Sequence, residues 1–285
     1  MNRKLVVVNG MSRGGSNLMW NIAQSHPELC SPQKETYTLL WKGKPKRTRW
    51  MHKTQMLFAG IFYRSASVSR KFHWVIDTLF KQRQNSIDNI SHNEKFPDVM
   101  YSKEEIESSI LCIKSTDSDL LLNPFFDKVF DQAYFVFVIR HPDAILEGWS
   151  RRKKGQIKAC AAFALFCFSI FLHKLMRPKN VQVFTLKQIA SDPFGVSSEL
   201  FRGLCLEQVE LENIRLKSKR VVNLDGSHEA LTEHENSKKW YSSDEISEVL
   251  SADIDYKQRR LLVVKNPLVL LIQPLLRMMY RSVLR

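Results

Sequence analysis

The chain has no C-x-x-C pair and no even set of cysteines to bridge. Its five cysteines, Cys30, Cys112, Cys160, Cys167 and Cys205, read as buried free thiols of a reducing compartment, and a disulfide scaffold is excluded. The eight histidines show no H-x-x-x-H or H-E-x-x-H spacing, so no metal site is expected. There is no internal repeat, no low-complexity tract and no secretory signal. Met1-Asn2-Arg3-Lys4 passes at once into Leu5-Val6-Val7-Val8, a buried strand rather than the apolar core of a leader, so a cytoplasmic location is expected.

Long uninterrupted apolar runs are also missing. Residues 159–172 are almost wholly apolar but stop at His173 and Lys174, short of the roughly 20 residues a spanning helix needs, and read as a buried core helix. Residues 261–276 are apolar but broken by Lys265, Pro267 and Pro274, with Arg277, Arg281 and Arg285 behind them. That segment either packs on the domain, the favoured reading, or makes a peripheral contact with a membrane interface. Acidic residues fall short of basic ones, 29 against 43, which leaves a net charge of +14. Such a surplus suits an anionic ligand, a nucleic acid or a membrane surface, and says nothing about fold.

What is present describes a globular protein. With 285 residues, 44% of them apolar and 25% charged, the chain is neither disordered nor collagen-like and can bury a substantial core. Apolar runs at residues 5–8, 110–113, 134–139 and 181–185 predict strands. Helices are predicted from Ser16 to about Ser25, from a capping box at Ser102 and Glu105, and from a second box at Ser242-Ser243-Asp244-Glu245. Strands alternating with helices imply an α/β fold: one domain over residues 1–285, with a central parallel sheet flanked by helices. Residues 42–100 break this rhythm and read as a helical or loop insertion on the substrate side.

The first strand runs into Asn9-Gly10-Met11-Ser12-Arg13-Gly14-Gly15, followed by a helix. Glycines in that context let backbone N–H groups line a concavity, and the helix N-terminus adds positive potential, so the loop suits a phosphate. A nucleotide triphosphatase would continue with Lys and then Ser or Thr; here Ser16 and Asn17 stand there, and the cation is Arg13, inside the loop. The third strand ends in Ile139-Arg140-His141-Pro142 and not in an aspartate for magnesium. Arg140 thus sits at the sheet edge where ligands of open α/β folds bind, suited to gripping a second phosphate. The pattern describes a nucleotide with phosphates in two places and no required metal, and argues against a nucleotide kinase.

Arg13-Gly14-Gly15-Ser16-Asn17 resembles the 5′-phosphosulfate loop of sulfotransferases, which use PAPS (3′-phosphoadenosine 5′-phosphosulfate) and release PAP. Val138-Ile139-Arg140-His141-Pro142, running into Gly148-Trp149, resembles their 3′-phosphate segment. His26-Pro27, Lys114, Asp192-Pro193 and Lys238-Lys239-Trp240 fall in family order. The resemblance implies that Gly14, Gly15, Ser16 and Asn17 cradle the 5′-phosphate and that Arg140 holds the 3′-phosphate. Gly148 replaces the serine usual in the family, with Ser150 two residues on as a substitute, and Lys238 and Lys239 complete the cofactor-binding set.

Sulfuryl transfer needs in-line positioning, stabilised charge on the leaving phosphate and a base for the acceptor proton. Arg13 and Lys114 are the candidate cations. Glu35, in Ser31-Pro32-Gln33-Lys34-Glu35, is the candidate base by its resemblance to the heparan-type branch, so the expected acceptor is a carbohydrate hydroxyl. A lipid or small-molecule alcohol is the alternative acceptor, and a catalytically degenerate polyanion or membrane binder the alternative of another class. No nucleic-acid partner is expected. Lys42, Lys44, Lys46, Arg47, Arg49 and Lys53 form a basic run that is either a solvated face or a contact for an anionic acceptor.

Overall fold

A computed structural model describes residues 4–12, 14–32, 34–88, 103–151, 155–210, 214, 220–222, 228–230 and 267–285. The first apolar run forms strand β1 (Lys4–Gly10), and the others form β3 (Ile110–Thr116), β4 (Gln132–Ile139) and β5 (Val181–Thr185). A two-residue strand that the sequence did not announce, β2 (Leu29–Cys30), completes one sheet of order β2-β3-β1-β4-β5, all parallel. The expected α/β fold with a central parallel sheet is therefore present. A small antiparallel pair, Arg220–Val222 with His228–Ala230, stands apart from the sheet.

The two-residue period of β1 sorts its side chains between two cores. Val6 and Val8 pack with Met19, Trp20 and Ile22 of α1 (Ser16–Ala23) and with Leu200 and Phe201 of a later helix (Pro193–Gly203). Leu5 and Val7 face the larger core opposite, built with Phe135, Phe137, Phe163 and Phe166. Residues of the insertion belong to that larger core. Helices α2 (Thr36–Trp41), α3 (Lys46–Phe62), α4 (Ser65–Lys71) and α5 (His73–Asp88) bury Trp41, Met56, Val68, Val75 and Leu79 there. The segment is thus a helical layer of the domain rather than a loop laid over it; residues 89–100 lie outside the described residues.

Helix α6 (Lys103–Ser108) is present, but its predicted cap Ser102 lies outside the described residues, as does the helix expected from Ser242. Four cysteines are buried and free as expected; Cys205 is exposed, at a left-handed turn with φ 57°. The apolar run after β4 becomes α9 (Gln156–Met176), which follows α7 (Asn123–Val129) and α8 (Pro142–Arg151). Helix α10 (Leu186–Ser191) and α11, the Pro193–Gly203 helix, follow β5. The C-terminal helix α12 (Pro267–Leu284) continues through Pro274, where the sequence reading placed an interruption. Proline removes one intrahelical donor, and Pro274 lies on an exposed face of the helix.

Parallel registry sets three strand ends level. Gly10 pairs with Thr116 of β3 and with Val138 of β4. The chain leaves β1 toward β3 on one side and later crosses to β4 on the other, so β1 is the topological switch point where open α/β sheets bind ligands.

Candidate active site

The loop after β1 is a tight turn in which the Gly14 N–H donates to Met11 O at 2.8 Å. Gly15 caps α1 in a left-handed conformation, φ 90° and ψ 6°, which a side chain opposes. A Cβ on Gly10 would lie 2.6 Å from Ser16 Cβ, so the close return of the chain needs glycine there too. With Gly14 committed to the turn, the expected N–H cradle narrows to Gly15 and Ser16, whose N–H groups open the helix without intrahelical carbonyls. No acidic residue stands in the first turn of α1, so nothing there opposes an anion. Gly15→Ala is expected to lose about 1–3 kcal/mol of stability from the strained φ, read as a lower denaturant midpoint.

The loop is clamped from both sides. The Ser12 N–H donates to Asp117 Oδ1 at 2.8 Å and its hydroxyl donates to Oδ2. Asp117 follows β3 and holds φ 51° to do so. From the β4 side, Trp149 Nε1 of α8 donates to Ser12 O at 3.2 Å, which ties the Arg140 segment to the loop. The sequence reading missed Asp117; its signal is the polar run Lys114-Ser115-Thr116-Asp117 at the end of an apolar strand.

Three predicted residues meet beside this loop. Lys114, on β3 and 4% exposed, donates through Nζ to Glu35 Oε2 at 2.9 Å and to Asn17 Oδ1 of α1. The same ammonium lies 5.6 Å from the Trp20 ring centroid. Glu35 is the N-cap residue of α2, but its side chain makes no capping bond and instead meets Lys114. Thr36 Oγ1 donates to Lys114 O at 2.8 Å and pins the start of α2 to β3. Glu35 keeps 24% of its side chain exposed, so solvent reaches it.

Behind this cluster lies a second ion pair. Lys53 of α3 is 3% exposed; its Nζ contacts Asp119 Oδ1 and donates to Ser118 Oγ at 2.8 Å. The basic-run reading therefore fails for Lys53, because helix α3 turns this one residue inward onto the segment after β3. Burial pushes the Asp119 carboxyl up to about 6 against the pull of Lys53, and Glu35 and Asp117 push the same way. Lys44 stacks 4.1 Å above the Trp74 ring. His52 packs between Trp41 and Trp74, and His73, exposed at the start of α5, donates through Nδ1 to Arg70 O at 3.1 Å.

Arg140 follows β4 directly and is half-buried, and Gly148 lies half-buried on α8. The adjoining Asp143 is held by Gln273 Nε2 at 2.6 Å and Arg277 Nη2 at 2.8 Å from α12. Two family-order residues have structural work. His26 Nδ1 accepts from the Glu28 N–H at 3.1 Å, which leaves Nε2 to donate to Glu207 O at 3.0 Å. Asp192 caps α11, accepting from the Gly195 N–H at 2.8 Å. Arg13, Lys238 and Lys239 lie outside the described residues, as does the Ser150 side chain. Among the described residues no group of three His, Cys, Asp or Glu is placed to hold a metal.

This architecture has a solved counterpart. A sulfotransferase domain of the olefin synthase of Synechococcus PCC 7002 is 17% identical, with 93% of this chain and 96% of that one covered at a TM-score of 0.50. The fold is that of a sulfotransferase domain. A sulfotransferase domain from the curacin biosynthetic pathway is 15% identical over 88% of this chain and 96% of that chain, at a TM-score of 0.46. No protein-family model matches the chain, and no curated protein sequence matches it. In this chain the loop after β1 and the ends of β3 and β4 occupy one edge of the sheet.

Proposed function

We propose that the chain is a sulfotransferase that moves a sulfuryl group from PAPS to an acceptor hydroxyl. The observation that carries this reading is the meeting of Glu35, Lys114 and Asn17 beside a glycine loop that lacks the triphosphatase lysine. The loop fits a phosphate: Gly15 opens a helix with no acid in its first turn, and Gly10 has no room for a side chain. In the proposed reaction the sulfur–oxygen bond to the acceptor forms as the bond to the bridging phosphate oxygen breaks. Glu35 takes the hydroxyl proton as general base, Arg13 and Lys114 stabilise negative charge on the phosphate and sulfuryl oxygens, and PAP leaves. Arg140, with the Gly148–Ser150 segment and Lys238 and Lys239, is assigned to the 3′-phosphate and nucleotide.

For the acceptor we propose a carbohydrate hydroxyl. Tyr37, two residues beyond Glu35, and Trp50 are exposed aromatics that stand 5.9 and 6.0 Å from Lys53 Nζ. Flat exposed rings on α2 and α3 suit stacking against the C–H face of a sugar ring. The exposed, stacked pair Phe58 and Phe62 on the same helix favours a lipid or apolar alcohol as the second reading.

The test is thermal stability with PAP and, separately, with ATP–Mg, on the wild type and Arg140→Ala. A ligand at about a hundred times its Kd adds roughly 2.7 kcal/mol. PAP is expected to raise Tm, ATP–Mg to leave it unchanged, and Arg140→Ala to abolish the shift. A folded wild type that ignores PAP overturns the PAPS assignment and leaves the degenerate polyanion binder.

A further inference from the structure

Two helices carry more apolar surface than the core uses. Helix α9 buries Phe163, Phe166 and Ile170 against the sheet, yet its opposite stripe exposes Leu165, Phe168 and Leu175. Helix α12 buries Val269, Leu276 and Val283 in the same core and turns Leu271, Leu275 and Met278 outward. The exposures are large, 69% for Leu175 and 77% for Leu271. The helices are neighbours: Lys174 Nζ of α9 donates to Val283 O of α12 at 3.1 Å. A helix apolar on all sides is expected to be covered on all sides, and exposed apolar patches of this kind mark interaction surfaces.

Charge says what covers them. Neither helix contains an aspartate or a glutamate. Lys158 on α9, Arg281 on α12 and Arg285 just after α12 are exposed, and Arg151-Arg152-Lys153-Lys154 stand one residue before α9 in the sequence. A second copy of the chain would set these like charges against one another, whereas an anionic bilayer neutralises them while its acyl boundary takes the apolar stripes. We infer that the outward faces of α9 and α12 dock the protein on an anionic phospholipid membrane.

The helices lie on the bilayer and do not cross it. Both are long and apolar enough to cross by length and composition, but each has one face committed to the core shared with β1 and β4. Spanning would strip that core, while interfacial docking needs only the free faces, sunk about 5–10 Å into the headgroup boundary. The Asp143 contacts with Gln273 and Arg277 keep α12 attached to the body, so the domain follows the helices to the surface. This inference does not rest on the proposed chemistry.

The test is co-sedimentation of the full chain with vesicles of phosphatidylcholine alone and of phosphatidylcholine with phosphatidylserine. Binding is expected only to the serine-containing vesicles. Phe168→Glu with Leu271→Glu is expected to weaken it about tenfold or more by removing apolar insertion, and Arg281→Gln with Arg285→Gln by about fivefold per charge. Melting temperature and circular dichroism check that both variants are folded. No binding to serine-containing vesicles, or binding that neither pair of substitutions weakens, overturns the inference. So does light scattering that shows a dimer which the glutamate pair converts to monomers, for then a second copy covers the face.

Discussion

Glu35→Gln is expected to lower kcat for sulfuryl transfer by about 10²- to 10⁴-fold, the contribution typical of a positioned general base, while PAP still raises Tm. Glutamine is the informative change because of the surroundings. Lys114 is nearly buried and donates to Glu35 and Asn17. Glutamine keeps an acceptor oxygen for that ammonium and removes only the ability to take a proton. Alanine would also leave the ammonium short of a partner, which costs about 1–3 kcal/mol or more for a charged group, and would mix a folding defect into the rate. A loss in kcat with KM and the PAP shift intact assigns the base. An unchanged kcat removes Glu35 from the chemistry without touching the nucleotide reading, since the PAP measurement stands apart from it. A parallel loss of kcat and PAP stabilisation would instead make Glu35 a residue that positions Lys114.

Lys53→Met is expected to destabilise the protein by about 3–5 kcal/mol, because it strands a carboxylate in the interior. Asp119 is fully buried and its Oδ2 lacks a hydrogen-bond partner among the described residues. The double variant Lys53→Met with Asp119→Leu should recover most of the loss, since two apolar side chains of similar size need no solvation. Chemical denaturation of the two single variants and the double variant gives the coupling directly. The pH dependence carries a definite sign. Burial raises the Asp119 carboxyl to about 6 in the folded chain, above its unfolded value near 4. Between those values the folded state holds the proton more tightly than the unfolded state, so this residue's contribution to stability falls as pH rises across the window. Asp119→Asn is expected to flatten that slope. A double variant whose loss equals the sum of the two single losses would show that the pair is not coupled.

These two results probe parts of the molecule that the sequence reveals unequally. The apolar runs at 5–8, 110–113, 134–139 and 181–185 became four of the five sheet strands, because a strand buried on both faces needs apolar residues at consecutive positions. The two-residue β2 has too few residues for any period to show. The glycine turn after β1 was equally legible: the left-handed φ of Gly15 and the tight return at Gly10 are demands that neighbouring residues make on a glycine. Lys53 was not legible. It sits in a run of basic residues on a helix whose other Lys and Arg are largely solvent-facing, and only the approach of Asp119 turns it into an interior charge.

The sequence by itself determined four of the five sheet strands, the glycine loop, the missing lysine and the arginine after β4, because each depends on residues within a few positions of one another. The tertiary structure alone decided that Lys114 meets Asn17 across 97 residues and Glu35 across 79, that Asp117 clamps the loop, and that α9 and α12 each leave an apolar face outside. The difference is physical: backbone conformation and burial period are set by local sterics and hydrophobic patterning, whereas ion pairs, clamps and exposed faces depend on which distant segments the parallel sheet carries to the same edge.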